Sequence, residues 1–258
     1  MNHKTTHTID VVFPIMDMHV WQQFLTGLRY KNRFSLQENS EKFVVQLLAY
    51  AKKHKTKRFI KGRKFYRARI NELHHSGAIA INKMGAPPKE VAGHGRLNPK
   101  GIPYLYLSSN QLTAISEVRP WVGGHVTVAE FELIDNVKLI NFSSKFFQNK
   151  TKSKENEGSE FTWRELITWM FSAPFDPRDD TAYVPTQYLS ERIKGNGYDG
   201  IIYDSSLNPN GYNVTLFDIS SAEPLSRQLA KIQSIKLKPT YKAVDEENAN
   251  HTFQRTSR

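Results

Sequence analysis

The sequence predicts an α+β fold with a mixed β-sheet. Three observations carry this. Two apolar stripes at helical spacing open the chain, Met18, Trp21, Phe24, Leu25, Leu28 and then Phe43, Val44, Leu47, Leu48. Two segments alternate as half-buried strands do, Lys64–Ile70 and His125–Leu133. A strand, turn and returning strand close the folded part, Tyr198–Ser206, Asn208-Pro209-Asn210-Gly211 and Tyr212–Phe217. Helices and strands mix without the regular βα alternation that a doubly wound sheet requires.

Residues 1–12 read as a loosely attached start. A helix is expected from Met18 and a second from near Ser40, whose basic end at Lys52 and Lys53 suits the negative pole of the helix dipole. From Lys52 to Arg69 ten Lys and Arg residues follow one another with no acid between them, within a chain of net charge +11. Such a run is either a solvated face or a contact for phosphate or another polyanion. In Lys64–Ile70, Arg67 and Arg69 share the face opposite Tyr66 and Ala68. They are surface charges if that face meets solvent and anion ligands if it lines a cleft. The stretch from Asn71 to Ala92, with Gly77, Gly85 and Pro87-Pro88, reads as a long loop of the kind that carries function. The adjacent His74 and His75 have no acid or histidine partner at i+4 and are not read as metal ligands.

The chain is organised around the stretch from Gly93 to Val118. A glycine-rich loop carries Arg96, a short apolar strand from Tyr104 to Leu107 carries Tyr106, and a short helix carries Glu117. Asn110 is positioned as its N-cap, since its side chain can accept a bond from a first-turn N–H. Further on, Val137–Asn141 is another strand and the charge-dense 145–160 an exposed connection. A helix starting at a Thr162–Glu165 capping box buries Trp163, Leu166, Ile167 and Met170 and stops before Pro174. Asp179-Asp180 lies in a Pro-Arg-Asp-Asp turn and reads as solvated rather than metal-binding, and a helix near 186–194 ends at Gly195 or Gly197. From Arg227 the chain reads as a polar tail in which Ile232, Ile235 and Leu237 are available for an edge strand.

The chain has 258 residues, 39% of them apolar, enough for a sizeable core. It has no cysteine, which excludes disulfides, thiolate metal sites and cysteine nucleophiles and fits a reducing compartment. No apolar run approaches the ~18 residues of a membrane span, and no signal pattern opens the chain. The expectation is a cytoplasmic protein. Phosphate-loop, nucleophile-elbow and His-Glu-x-x-His motifs are absent, and Gly93-His94-Gly95 precedes a strand where a dinucleotide fingerprint follows one.

What remains is Arg67, Arg96, Tyr106, Glu117, Ser205 and Asn213 on separate elements. The blocks that hold them are Phe65-Tyr66-Arg67-Ala68, Gly95-Arg96-Leu97-Asn98-Pro99-Lys100-Gly101, Leu105-Tyr106-Leu107-Ser108 and Thr113-Ala114-Ile115-Ser116-Glu117-Val118. Thr186-Gln187-Tyr188-Leu189-Ser190-Glu191, Asp199-Gly200-Ile201-Ile202-Tyr203-Asp204-Ser205-Ser206 and Asn213-Val214-Thr215-Leu216-Phe217 follow in order. Together, from about Lys64 to Pro224, they resemble the RES domain family, named for an arginine, a glutamate and a serine. The resemblance implies a split-sheet core similar to ADP-ribosyltransferases and an activity on NAD+. Members are typically toxins that cut nicotinamide from NAD+ with phosphate or water as acceptor, and some are thought to transfer ADP-ribose to a protein. The usual partner is an Xre-type antitoxin.

On that resemblance the catalytic set is Glu117, Arg67, Arg96 and Tyr106. The NAD+-binding set is Arg67, Arg96, Tyr106, Ser205 and Asn213, with either Ser205 or Ser206 as the functional serine. The chemistry suits the types. Guanidinium forks match pyrophosphate oxygens, and a carboxylate beside the scissile bond stabilises an oxocarbenium-like centre. NAD+ is then a substrate, with inorganic phosphate a possible co-substrate, and no cofactor or metal is expected. The implied division is a helical extension at 1–62, a catalytic domain at 63–226 and a polar tail at 227–258. A protein-modifying ADP-ribosyltransferase is the nearest alternative. A basic nucleic-acid-binding module, salt-sensitive and indifferent to Glu117, ranks last.

Overall fold

The computed structural model describes residues 18–72, 77–146, 163–176, 178–237 and 239. The expectations for 1–12, for His74 and His75, for Thr162 and for most of 145–160 fall outside them. Helix α1 (Met18–Tyr30) and helix α2 (Glu38–His54) form where the apolar stripes place them. Their inward faces meet through aromatic rings, Phe24 and Phe43 lying 5.2 Å apart between centroids and Trp21 5.8 Å from Phe24.

Eight strands form one mixed sheet. They are β1 (Thr56–Phe59), β2 (Lys64–Ile70), β3 (Leu105–Ser108), β4 (His125–Leu133), β5 (Val137–Asn141), β6 (Gly200–Asp204), β7 (Tyr212–Leu216) and β8 (Ala222–Lys231). The order is β1-β5-β6-β7-β3-β2-β4-β8, with β5 and β6 parallel and every other neighbour antiparallel. Helices α3 (Gln111–Glu117), α4 (Trp163–Ser172) and α5 (Val184–Gly195) complete the fold. The α+β class and the N-terminal helices are as the sequence predicts.

The sheet is nearly two. Strands β2 and β3 are in register at one pair alone, Tyr66↔Ser108, whereas β2 pairs with β4 along its whole length. The half β1-β5-β6-β7-β3 and the half β2-β4-β8 therefore diverge beyond that pair, and a cleft opens along the inner edge of β2. Helix α3 covers one face of this junction: Ala114 is buried with Ala68, Val126 and Val128, and Ile115 and Val118 pack against them. The alternation of β2 thus sends Tyr66, Ala68 and Ile70 to α3 and leaves Phe65, Arg67 and Arg69 on the other face.

Two elements differ from expectation. Thr56–Phe59, read only as part of the basic run, is an edge strand on β5. Ala222–Lys231 is an edge strand on β4, so strand continues past 226, while 232–237 is not strand. Both are strands with little buried surface, so no apolar alternation marks them. Their backbone pairing, which sequence pattern does not display, holds them in place. A bulge opposite Glu130/Phe131 and Pro224 blunt the β8 edge, as edge strands commonly are.

The N-terminal helices do not stand apart from the sheet. Trp21, Phe24, Leu28, Phe43, Val44 and Leu47 share one buried cluster with Ile140, Leu166, Phe171, Leu189, Ile193 and Ile201. Arg192 of α5 adds two bonds to Glu41 of α2, at 2.6 and 2.9 Å, and the guanidinium holds that carboxyl below its ordinary range. Among the described residues no helix is long and apolar enough to cross a membrane.

Phe24 is fully buried at the centre of this shared cluster. Phe24→Ala is expected to cost about 3–5 kcal/mol, which lowers Tm by roughly 6–20 °C for a chain of this size. Calorimetry should show one transition moved as a whole. An early separate transition for the helices, with the main one unmoved, would contradict the shared core.

Candidate active site

The Glu117 carboxylate is held through a single oxygen. Its Oε1 accepts from Ser205 Oγ at 2.7 Å and from Asn213 Nδ2 at 2.7 Å, and no described residue bonds Oε2. Both donors are themselves fixed. Ser205 Oγ accepts from the backbone N–H of Asn208 at 3.0 Å, which turns its own hydrogen toward Glu117. Asn213 Oδ1 accepts from Ser108 Oγ at 2.8 Å, which leaves the amide nitrogen for Glu117. Ser205, Asn213 and Ser108 are buried, whereas Glu117 is exposed. Its second oxygen is therefore presented to solvent in a set orientation. Ser206 is exposed and makes no such bond.

Local sequence explains why α3 delivers the carboxylate there. Asn110 caps the helix, accepting from Thr113 N and Thr113 Oγ1, both at 2.9 Å, and Asn208 Nδ2 donates to Thr113 Oγ1 at 2.9 Å. The hairpin turn comes so close to the helix that a Cβ on Gly211 would lie 1.9 Å from Thr113 Oγ1. Only glycine allows that approach.

Beside β2 lies a cavity of about 830 Å³ lined by residues of both its faces, Arg67, Ala68, Arg69 and Ile70, and by Glu72, Lys83, Val118 and Arg227, with Ala78, Ile79 and Ala80 as an uncharged wall. Val118, which follows Glu117 in the chain, joins the two places. Arg67 reaches across the split and donates to the backbone oxygen of Tyr106 at 2.9 Å, and Arg69 donates to Gly85 O at 2.6 Å. The Nε–H groups of both are buried without a partner. Burial pushes the Arg67 guanidinium down to about 10, with the charge of Arg69 adding to it, so it stays cationic at neutral pH. Burial lowers Arg69 as well. Two desolvated cations with orphan donors beside an open cavity are what an anion would satisfy.

Arg96 and Tyr106 are engaged elsewhere. Arg96 Nη1 donates to Ala173 O at 2.8 Å, and its guanidinium faces the rings of Tyr183 at 5.2 Å and of Phe175 and Tyr203 at 5.9 Å. The Tyr106 hydroxyl donates to Asn98 Oδ1 at 2.7 Å and accepts from Leu97 N at 3.0 Å. Burial raises its pKa, as it does that of Tyr203, where the charge of Glu117 adds to the rise. A Cβ on Gly95 would lie 2.4 Å from Asn98 Oδ1 and 2.8 Å from the Tyr106 hydroxyl, so the loop closes on these two side chains only with glycine at that position.

Comparison with protein-family models matches residues 64–237, more than half of the chain, to the RES domain. The chain belongs to the RES domain family. No curated protein matches the chain significantly. Among solved structures, a chain of the crystal structure of the M.tuberculosis MbcT-MbcA toxin-antitoxin complex aligns at a TM-score of 0.40 and 11% identity, over 72% of this chain and 92% of that one. A likeness at that level carries no structural argument.

In this RES domain the structure brings Glu117, Ser205 and Asn213 into direct contact and sets Arg67 across the sheet split. It does not bring Arg96 to the cavity that Arg67 lines, and it gives the Tyr106 hydroxyl to the 93–101 loop. Arg96 and Glu117 both act electrostatically on Tyr203 of β6. Sequence reasoning missed Ser108 and Thr113, whose only signal is their place in the quoted blocks. Among the described residues no His, Cys, Asp and Glu group has a metal-binding arrangement. Asp179 instead accepts from Arg29 and from the N–H and hydroxyl of Thr181, a structural turn.

Asn213→Asp would replace the amide donor 2.7 Å from Glu117 with a second carboxylate. Two carboxylates in contact disfavour each other's ionisation, so the introduced acid is expected to titrate above the ordinary carboxylate range. Carboxyl NMR titration checks it. Two ordinary carboxylate midpoints in the folded variant would contradict the contact.

Proposed function

We propose that this RES domain is an NAD+-cleaving toxin enzyme that releases nicotinamide, with phosphate or water as acceptor. The observation that carries the reading is the Glu117 carboxylate, pinned through Oε1 by Ser205 and Asn213 with Oε2 open, one residue away from a cavity lined by Arg67 and Arg69. Membership of the RES family supports the same conclusion. NAD+ is consumed as a substrate, so no recycled cofactor takes part.

In this reading Arg67 and Arg69 hold the pyrophosphate, their buried Nε–H groups finding the acceptors they lack. The C1′–N bond of the nicotinamide ribose breaks with its electron pair going to the nicotinamide nitrogen, which leaves neutral. Positive charge grows on C1′ and the ring oxygen. The open oxygen of Glu117 faces that charge or takes a hydrogen bond from a ribose hydroxyl, and it needs no reorientation because Ser205 and Asn213 already hold it. A phosphate or water oxygen then bonds to C1′. The product is a phosphorylated ADP-ribose in the first case, and ADP-ribose with release of a proton in the second. Arg96 and Tyr106 keep the 93–101 loop and the face of β6 in place.

Depletion of cellular NAD+ would make the protein a toxin of a toxin–antitoxin pair, with an Xre-type protein as its inhibitor. The exposure of Glu117 also suits a macromolecular acceptor. That favours protein ADP-ribosylation as the second reading, with the same bond broken and a protein nucleophile in place of phosphate or water.

Purified protein incubated with NAD+, with and without inorganic phosphate, is expected to release nicotinamide. Glu117→Gln should lower the rate by about 10²–10³ or more, the usual scale for losing a transition-state electrostatic contact. Dependence on phosphate would separate phosphorolysis from hydrolysis. Label transferred to protein would move the assignment to the second reading, and intact NAD+ with folded, inhibitor-free protein would overturn both.

A further inference from the structure

The cavity holds more positive charge than a dinucleotide pyrophosphate uses. Four of its lining side chains are cationic, Arg67, Arg69, Lys83 and Arg227, against the single carboxylate of Glu72. A pyrophosphate bridge carries two negative charges, which Arg67 and Arg69 meet. Lys83 and Arg227 are left, and no described carboxylate pairs with either one.

Sheet register places this surplus. Arg67 is opposite Ala129, and Ala129 is opposite Arg227, so the three lie in one row on one face of β2, β4 and β8. Two strand spacings separate the arginines, about 10 Å. Ala129 between them is fully buried in the core beneath the 77–86 segment and carries no charge. Lys83 comes from a single 3-10 turn, Ile81–Lys83, that packs on β8, with Met84 fully buried behind it. The result is a second cationic pole two strands from the first, in a cavity whose remaining lining is apolar apart from Glu72.

We propose that Lys83 and Arg227 form a phosphomonoester subsite, so that the preferred substrate is a nicotinamide dinucleotide phosphorylated on its adenosine ribose. The inference rests on the dinucleotide reading of the cavity but not on its cleavage. A ribose phosphate is a dianion near neutral pH, separated from the pyrophosphate by the sugar alone, and it matches a Lys and an Arg that lack carboxylate partners.

The test uses fragments that cannot be cleaved. Adenosine 2′,5′-bisphosphate and adenosine 5′-phosphate are titrated calorimetrically into the full chain, with inorganic phosphate in a separate arm. The 2′-phosphate is expected to tighten binding by about tenfold or more, the scale of one charge-assisted hydrogen bond. Arg227→Gln and Lys83→Gln, both at exposed positions where folding is safe, should each remove most of that gain, and the pair together all of it. The kcat/KM ratio of NADP+ to NAD+ should fall in the same variants. Equal affinity for the two nucleotides would overturn the proposal, and so would no binding, a preference that survives the double variant, or inorganic phosphate displacing both nucleotides alike. A 2′-phosphate preference without any nicotinamide release would instead sink the enzymatic reading and leave the subsite standing.

Discussion

One carboxylate oxygen ties the two halves of this sheet together. Helix α3 packs on Ala68, Val126 and Val128, on the β2-β4-β8 side of the split. The partners of Glu117 come from the other side, Ser205 after β6 and Asn213 on β7. The backbone itself spans the split at one register pair only. Arg67 makes the second side-chain tie, from β2 to the Tyr106 carbonyl of β3. The bond from Asn208 to Thr113 adds a further tie beside these two. Any change in the opening of the sheet must move the carboxylate and the guanidinium relative to each other.

Such a site needs a stiff frame. The parallel pair β5 and β6 lies under α4, α5 and the N-terminal helices, with Ile140 and Ile201 fully enclosed by their side chains. That burial holds β6, and β6 leads directly into Ser205. The aromatic contacts of Arg96 add to it, because Tyr203 on β6, Phe175 and Tyr183 all face one guanidinium. That guanidinium is held among three rings and one carbonyl. Its removal would loosen the contact between the glycine-rich loop and the segment after α4.

The cationic character of the chain is unevenly used. The run from Lys52 to Arg69 looks uniform in one dimension, yet the fold divides it. Lys55 is buried at the end of α2, Lys61 and Arg63 lie exposed at the turn into β2, and Arg67 and Arg69 face the cavity. Strand alternation makes the division, since successive side chains leave the backbone on opposite faces. The run thus supplies one buried lysine, an exposed turn and two cavity-lining arginines.

Much of the fold was legible in residue order. Apolar stripes at helical spacing located α1, α2 and α4, a terminal glycine marked the end of α5, strict alternation located β2 and β4, and Asn110 marked the start of α3, because these signals depend on local backbone geometry and on which face is buried. The residues that meet at the candidate site were legible too, Glu117 with Ser205 and Asn213, and Arg67 across the split. The sequence did not reveal the edge strands β1 and β8, which bury too little to leave a pattern and exist because a neighbour offers backbone partners. Nor did it assign partners to side chains more than eighty residues apart. That Ser205 rather than Ser206 meets Glu117, that Ser108 orients Asn213, and that Arg96 and Tyr106 serve the loop all follow from tertiary distance. A hydrogen bond is decided within a few tenths of an ångström, and only the packed sheet sets that scale.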